Sequence, residues 1–402
     1  MPRLVLPALL AVVAASAAAQ TPYVPPPGEW ERRAPEAVGM SAERLAEAVA
    51  FAQANESDDP RDLALAHAAG FGREPYGEAV GPFLTRGPQT GLVLRGGYLV
   101  AEWGEPDRVD PTFSVAKSFL STVAGLAWAR GLIRLDEPVH RSQAPVTVLG
   151  AHGPGADPAE LGALTTFRPF DSEHARQITW DHLLRQTSDW SGTLWGKPDW
   201  ADRPADDLLA DQTRERHAPG AVWEYNDVRV NLLALALLNV WREPLPAVLR
   251  EHVMEHVGAS PSWRWHGYRT SWVVLDGVPV QSVAGGTHWG GGMWLSAYDQ
   301  ARFGLLTLRR GRWGGREVLP EAWFDEALAP TPAEPGYGVM NYFLNSDRER
   351  FPSAPATAFA HLGAGTNLVY VDPEHDLVVV ARWIDRGALD GLVQRVIAAV
   401  EE

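Results

Sequence analysis

Apolar positions along the chain follow two periods. "SAERLAEAVAFAQANES" opens on Ser41, carries Glu43 two places on and repeats its apolar residues at helical spacing. That predicts a surface helix packed on a sheet. "TGLVLRGGYLVAEWG" is two β-rich runs joined at Gly96-Gly97, a hairpin pattern. "DPTFSVAKSFLSTVAGLAWARGLI", residues 110–133, reads as a helix as far as Arg130 and stops at Gly131. From about 135 to 284, helical pieces (Trp180 to Gln186, Val230 to Trp241, Leu245 to Val257) alternate with loops rich in Pro, Gly and Trp. A further helix is predicted over Ala297 to Arg309. "NLVYVDPEHDLVVVARW" gives a second hairpin turning at Pro373 to Asp376, and Ala388 to Glu401 closes the chain as a helix. No internal repeat is visible.

Neither hairpin is stable alone, so strands from both ends of the chain are expected in one antiparallel sheet. The terminal helices then cover one face and the long insertion the other. The predicted class is α+β. Residues 36–134 and 285–402 form an α/β subdomain, and 135–284 a large, mostly helical one. The start of the 110–133 helix falls at the seam between them, where clefts usually form.

Composition narrows the function classes. The 402 residues are 46% hydrophobic and 21% charged, an ordinary globular balance. The net charge is -15 and no Lys/Arg block occurs, so nothing supplies the positive surface that a phosphate backbone requires. "MPRLVLPALLAVVAASAAAQ" has Arg3, an apolar run and an Ala-x-Ala site ending at Ala19. It reads as a signal peptide over residues 1–19, too short to span a bilayer. A Pro-rich leader, 20–35, follows. The expectation is an exported protein, periplasmic or secreted, whose mature chain makes no stable membrane insertion. The chain has no cysteine, which excludes disulfides, thiolate metal sites and a thiol nucleophile.

Ser114 and Lys117 stand one helical turn apart, on one face. A serine hydroxyl needs a base within hydrogen-bond reach to become a nucleophile, and an amine held in apolar surroundings can serve. Of 35 basic residues only two, Lys117 and Lys197, are lysine. Arginine cannot give up its proton, whereas lysine can, so a lysine in this apolar helix is best explained by chemistry. Ser114 would also sit at the positive end of its helix, its own N–H facing a developing oxyanion.

Tyr225, in "PGAVWEYNDVRVNLLALALL", lies at the mouth of a buried helix, where a phenol can shuttle a proton. His361-Leu362-Gly363 starts a strand. Gly363 allows close approach of a ligand, and the Ala364 N–H can complete an oxyanion hole with that of Ser114. Taken singly, Tyr225 reads as an interfacial core tyrosine and the His361 stretch as a turn before a strand. Trp190 and Trp195 either wall an apolar substrate pocket or seal a loop onto the insertion. "HVMEH", 252–256, matches a zinc spacing but marks no third ligand. "GGTHWGGG", 285–292, lacks the lysine of a phosphate loop and reads as a turn lining the cleft. Lys197 reads as a loop lysine.

Taken together, the three motifs resemble the serine β-lactamase/penicillin-binding-protein superfamily. The resemblance is to its branch of class C β-lactamases, family VIII esterases and 6-aminohexanoate-dimer hydrolases. Ser114-x-x-Lys117, Tyr225 of the Tyr-x-Asn motif and His361-x-Gly363 carry it, supported by "ITWDHLLRQTSDW", "GGGMWLSAYDQARFGLLTLRRGRWGG" and "LVYVDPEHDLVVV". It runs from about residue 36 to the C-terminus. It implies acyl transfer through a covalent acyl-enzyme on Ser114, with Lys117 and Tyr225 activating the serine and protonating the leaving group. No cofactor or metal is implied. The implied substrate is a small-molecule ester or linear amide, contacted or oriented by His361, Gly363, Asp227 and Asn226.

Two departures from the family pattern shift this picture. His361 stands where β-lactamases and DD-peptidases usually have a carboxylate-binding lysine, which moves weight toward neutral esters or amides. Asp227 stands where asparagine is usual. A carboxylate near Lys117 favours the ammonium, so either Tyr225 takes the serine proton or Asn226 supplies the missing amide with shifted geometry. The rival readings are a β-lactamase or DD-peptidase on the same scaffold, a catalytically silent binding protein of this fold, and a zinc peptidase.

Overall fold

A computed structural model describes residues 22–149, 164–204, 208–340 and 342–401. The predicted signal peptide lies outside them.

Six antiparallel strands form the central sheet, in the order Phe343–Leu344, Phe359–Gly363, Asn367–Asp372, Leu377–Arg382, Thr90–Arg95 and Tyr98–Trp103. The two ends of the chain meet where Leu92 pairs with Val380 and Val93 with Val379. The first hairpin turns on Gly96 and Gly97 at φ 61° and 87°, the left-handed conformation such a two-residue turn requires.

Side chains alternate across the sheet. Val93, Tyr370 and Val379 join one core with Leu45, Ala48, Leu392 and Val396 of the helices Ala42–Ala54 and Leu389–Ala398. Leu92, Leu94, Val378 and Val380 join the other core, as period-two alternation dictates. The second face departs from expectation. It is covered first by the helix Ala297–Leu308, not by the 135–284 insertion. A Cβ on Gly304 would lie 2.7 Å from both Val369 and Val378, so glycine lets this helix sit directly on the sheet. The helix Ala116–Ala129 packs on its far side, with Phe119 stacked on Phe303 at 4.1 Å. Ala116 through Ala127 are all buried, which places this helix in the core of the molecule.

The 135–284 segment is less helical than its sequence pattern suggested. It supplies Val146–Leu149, Leu164–Phe167, Arg264–Leu275 and Val278–Val283 to a second sheet, completed by Gly292–Leu295 and Asp110–Pro111. Asp276 and Gly277, at φ 50° and 85°, turn the longest hairpin. That Asp-Gly pair between β-branched runs was a readable hairpin signal. The helix predicted over 245–257 runs α-helically only over Leu245–Leu249 and then widens into a π-helical turn at Arg250–Met254.

Candidate active site

The second sheet sets the position of Ser114. Asp110–Pro111 pairs with Trp294 and Leu295. The Asp110 carboxylate accepts from Gly87 N and Trp383 Nε1, both at 2.9 Å. Thr112 then donates from both N and Oγ1 to Met293 O at 2.9 Å. Phe113 is forced to φ 48°, a conformation uncommon for a bulky side chain. A 3-10 turn over Phe113–Val115 leads into the helix Ala116–Ala129, placing Ser114 at the mouth of that helix.

Lys117 folds back as its spacing predicts. Its Nζ donates to Ser114 Oγ at 2.9 Å and lies 2.7 Å from Asp227 Oδ1. The lysine and the aspartate are fully buried. The same ammonium lies 4.6 Å from the centre of the Tyr225 ring, and the Tyr225 hydroxyl hydrogen-bonds with Ser114. Asp227 opens the helix Asp227–Trp241, and its Oδ2 accepts Thr287 N at 3.0 Å. The neighbouring Gly286 has no room for a side chain, since a Cβ there would meet Asp227 O at 2.2 Å.

Burial opposes the charge on Asp227, but Lys117 and Arg203 outweigh it and hold this carboxyl well below the usual carboxylate range. Burial, reinforced by the Asp227 charge, pushes the Tyr225 phenol far above its ordinary value. Tyr225 therefore rests as a neutral phenol, a proton donor rather than a base. The Lys117–Asp227 contact is the counter-ion that sequence reasoning anticipated beside the lysine.

Behind Asp227 lies a group that sequence reasoning missed. Asp202 accepts Asp227 N and pairs with Arg203, whose guanidinium also lies 3.7 Å from Asp227. His288 bridges Asp202 at 3.1 Å and Glu74 at 2.7 Å. Burial and the Asp227 charge push Asp202 up to about 7, and burial pushes His288 down to about 4. Asp202, Asp227 and His288 are also the acid and imidazole groups close enough to share a metal ion among the described residues. Lys117 and Arg203 already supply the positive charge there, so the cluster fits an ion-pair network better than a metal site. Lys197, read as a loop lysine, is instead buried. It donates to Tyr76 O and Glu78 O at 2.5 and 2.6 Å, fastening that segment near His288. Only the rarity of lysine in the chain pointed to it.

Gly363 permits a close backbone approach, here to the Thr112–Ser114 segment of the chain itself. A Cβ there would lie 2.1 Å from Thr112 O and 3.1 Å from Ser114 N, so the strand Phe359–Gly363 passes in contact with the Ser114 amide. Ala364 lines the cleft beside Ser114. Two expectations are corrected, and the alternative left open for Trp190 and Trp195 is decided. His361 is fully buried, and its ring faces away from the cleft. Its Nδ1 lies 2.9 Å from Ser118 Oγ and its Nε2 3.3 Å from Thr307 Oγ1. Burial pushes its pKa down to about 3, so His361 presents no cation to the cleft. Asn226 caps its helix, accepting Arg229 N and donating to Asp199 O, and does not border the cleft. Trp190 and Trp195 are core residues. Trp190 Nε1 donates to Pro169 O and its carbonyl accepts Arg229 Nε, which seals the loop onto the insertion. His252 stacks on Trp241, apart from this cleft. Thr287 and His288 of the Gly-rich stretch do line it.

Ser114 opens onto two cavities. One, of about 710 Å³, is bordered by Tyr225 and by charged side chains. The other, of about 320 Å³, is lined mainly by apolar surface, including Phe71, Phe83, Phe113 and Trp383, with Asp59, Arg203 and His288 beside it.

This architecture is shared with solved structures. A penicillin-binding-protein homologue from Caulobacter crescentus is similar at a TM-score of 0.55 and 14% identity, covering 90% of this chain and 99% of that one. A putative 6-aminohexanoate-dimer hydrolase from Bacillus anthracis is similar at a TM-score of 0.50 and 16% identity, over 77% and 76%. EstCE1, described as a hydrolase with promiscuous acyltransferase activity, is similar at 0.50 and 18%, over 90% and 99%. At such identities these likenesses show a common fold, the β-lactamase/transpeptidase-like one. No curated protein matches the sequence. The Beta-lactamase family model matches residues 87–383, well over half of the chain, and the chain belongs to that family, whose members are generally serine hydrolases.

Proposed function

We propose that this chain is an exported serine hydrolase that cleaves an ester or linear amide through an acyl-enzyme on Ser114. The observation that carries the reading is the short chain of contacts Ser114 Oγ, Lys117 Nζ, Asp227 Oδ1 at 2.9 and 2.7 Å. As Ser114 Oγ bonds to the substrate carbonyl carbon, its proton passes to Lys117 while Lys117 gives one to Asp227. At rest Lys117 and Arg203 hold the Asp227 carboxyl low, so the proton occupies it only while Ser114 Oγ bonds to the carbonyl carbon and the negative charge moves to the oxyanion. The Ser114 and Ala364 N–H groups face the oxyanion. Tyr225 donates its proton to the leaving oxygen or nitrogen as that bond breaks, and recovers one from the Lys117–Asp227 pair. Water then attacks the acyl carbon, its proton follows the same route back to Ser114 Oγ, and the acid departs.

The buried, neutral His361 argues against a β-lactam or D-peptide carboxylate docked on its strand. Turnover of nitrocefin at a rate matching that of esters would reverse that preference. The decisive test is intact-mass spectrometry after exposure to a fluorophosphonate. A single adduct on Ser114, absent from Ser114→Ala, is the expected result; no adduct on the folded protein defeats the hydrolase reading. Export predicts a mature N-terminus near residue 20 in the secreted fraction.

A further inference from the structure

The two cavities at Ser114 differ in chemistry. Tyr225, Asp58, Arg350, Arg386 and Asp390 border the larger. Leu63, Phe71, Phe83, Phe113 and Trp383 form the apolar wall of the smaller, which Asp59, Arg203, Asp227 and His288 also border and Tyr225 does not. Phe71 keeps 37% of its surface exposed, and Phe113 meets Trp383 edge-on at 6.4 Å. An aromatic left uncovered beside a cavity loses water contact only when something apolar fills the space.

The proton donor fixes which lobe does what. Under the serine-hydrolase reading, on which this inference rests, Tyr225 must reach the leaving atom. The leaving group then departs through the larger lobe, and the acyl group stays in the smaller. We infer that the smaller lobe is an acyl pocket selecting an arylacetyl group, so that the substrate joins an aromatic acid to a polar alcohol or amine. The helix Leu63–Ala69 presents Leu63, Ala66, His67 and then Gly70 to this lobe at helical spacing. It is an element built to shape it. Leu65, 62% exposed, points elsewhere.

The test compares 4-nitrophenyl phenylacetate with 4-nitrophenyl acetate, where only the acyl group changes. The wild-type kcat/KM ratio should favour phenylacetate at least tenfold, the scale on which an apolar pocket discriminates. Ala66→Phe, which adds bulk on the open side of the helix, should cut that ratio tenfold or more. Phe71→Ala should cut it severalfold, and Leu65→Ala should leave it unchanged. Melting temperatures establish that each variant is folded. A wild-type ratio near one, or a ratio indifferent to Ala66→Phe, overturns the pocket while fluorophosphonate labelling of Ser114 still upholds the hydrolase. If Ala66→Phe instead alters selectivity among alcohols at constant acyl group, the lobes have the opposite roles. If Ser114 takes no label at all, the hydrolase reading has failed and the pocket assignment falls with it.

Discussion

Asp227→Asn removes one charge and almost no volume, which isolates the buried ion pair. At 2.7 Å the Lys117–Asp227 attraction is about 6 kcal/mol at an effective dielectric of about 20. Much of that is offset by the desolvation of two buried groups. Deleting one partner leaves the other uncompensated, and such losses run to about 3–5 kcal/mol. The amide can still accept the Thr287 N–H, so packing and the local hydrogen bond survive. Urea unfolding at pH 7 should therefore show a loss of about 3 kcal/mol or more for Asp227→Asn. The double variant Asp227→Asn/Lys117→Met should lose less than the two single losses together, with a coupling of at least about 1.5 kcal/mol. The pH dependence has a definite sign. The folded carboxyl titrates below its unfolded value, so its contribution is complete above the ordinary carboxylate range and disappears as pH falls through the lower folded value. The gap between wild type and variant should narrow on acidification. Fluorophosphonate labelling of Ser114 should slow by about 100-fold, the scale of a lost general-base route. Strictly additive stability losses, or a labelling rate equal to wild type, would refute the ion-pair argument.

Two further predictions follow from neighbouring residues. Gly363→Ala puts a methyl against backbone atoms of Thr112 and Ser114 that cannot swing aside. Labelling of Ser114 should fall by about 100-fold or more, as for a lost oxyanion donor, and a wild-type rate would place the oxyanion elsewhere. His361 titrates at about 3 in the fold against an ordinary 6.5. The unfolded chain therefore takes up its proton first, so this residue's share of stability is full above about pH 6.5 and declines below it by about 1.4 kcal/mol per pH unit, against the opposite trend from Asp202, whose folded value is raised. His361→Gln should flatten that decline in urea titrations between pH 6 and 4; an unaltered slope would show that other groups govern it.

Much of the framework could be read directly from the sequence because it rests on short-range rules. Period-two runs around Gly96-Gly97 and Pro373–Asp376 marked strands that pair as expected. The spacing of Ser114 and Lys117 put both on one helical face, and the rarity of lysine gave that pair its weight. Gly363 was legible because only a residue without a side chain suits a close backbone approach.

What only the tertiary structure decided depends on contacts across long stretches of chain. His361 alternates along its strand, and no local pattern says that this face meets Ser118 and Thr307 rather than the cleft. Trp190 and Trp195 have the right chemistry to wall a pocket, but the packing of their loop buries them. Asp202, Arg203 and His288 carry no motif and acquire meaning only when folding presses them against Asp227. The aromatic lobe draws on residues 63–83, Phe113 and Trp383, more than 300 positions apart in sequence. The sequence determined the reactive pair because a helical turn brings it together. The fold decided the pair's charge, the face of the imidazole and the shape of the pocket, because burial and long-range contact set each of them.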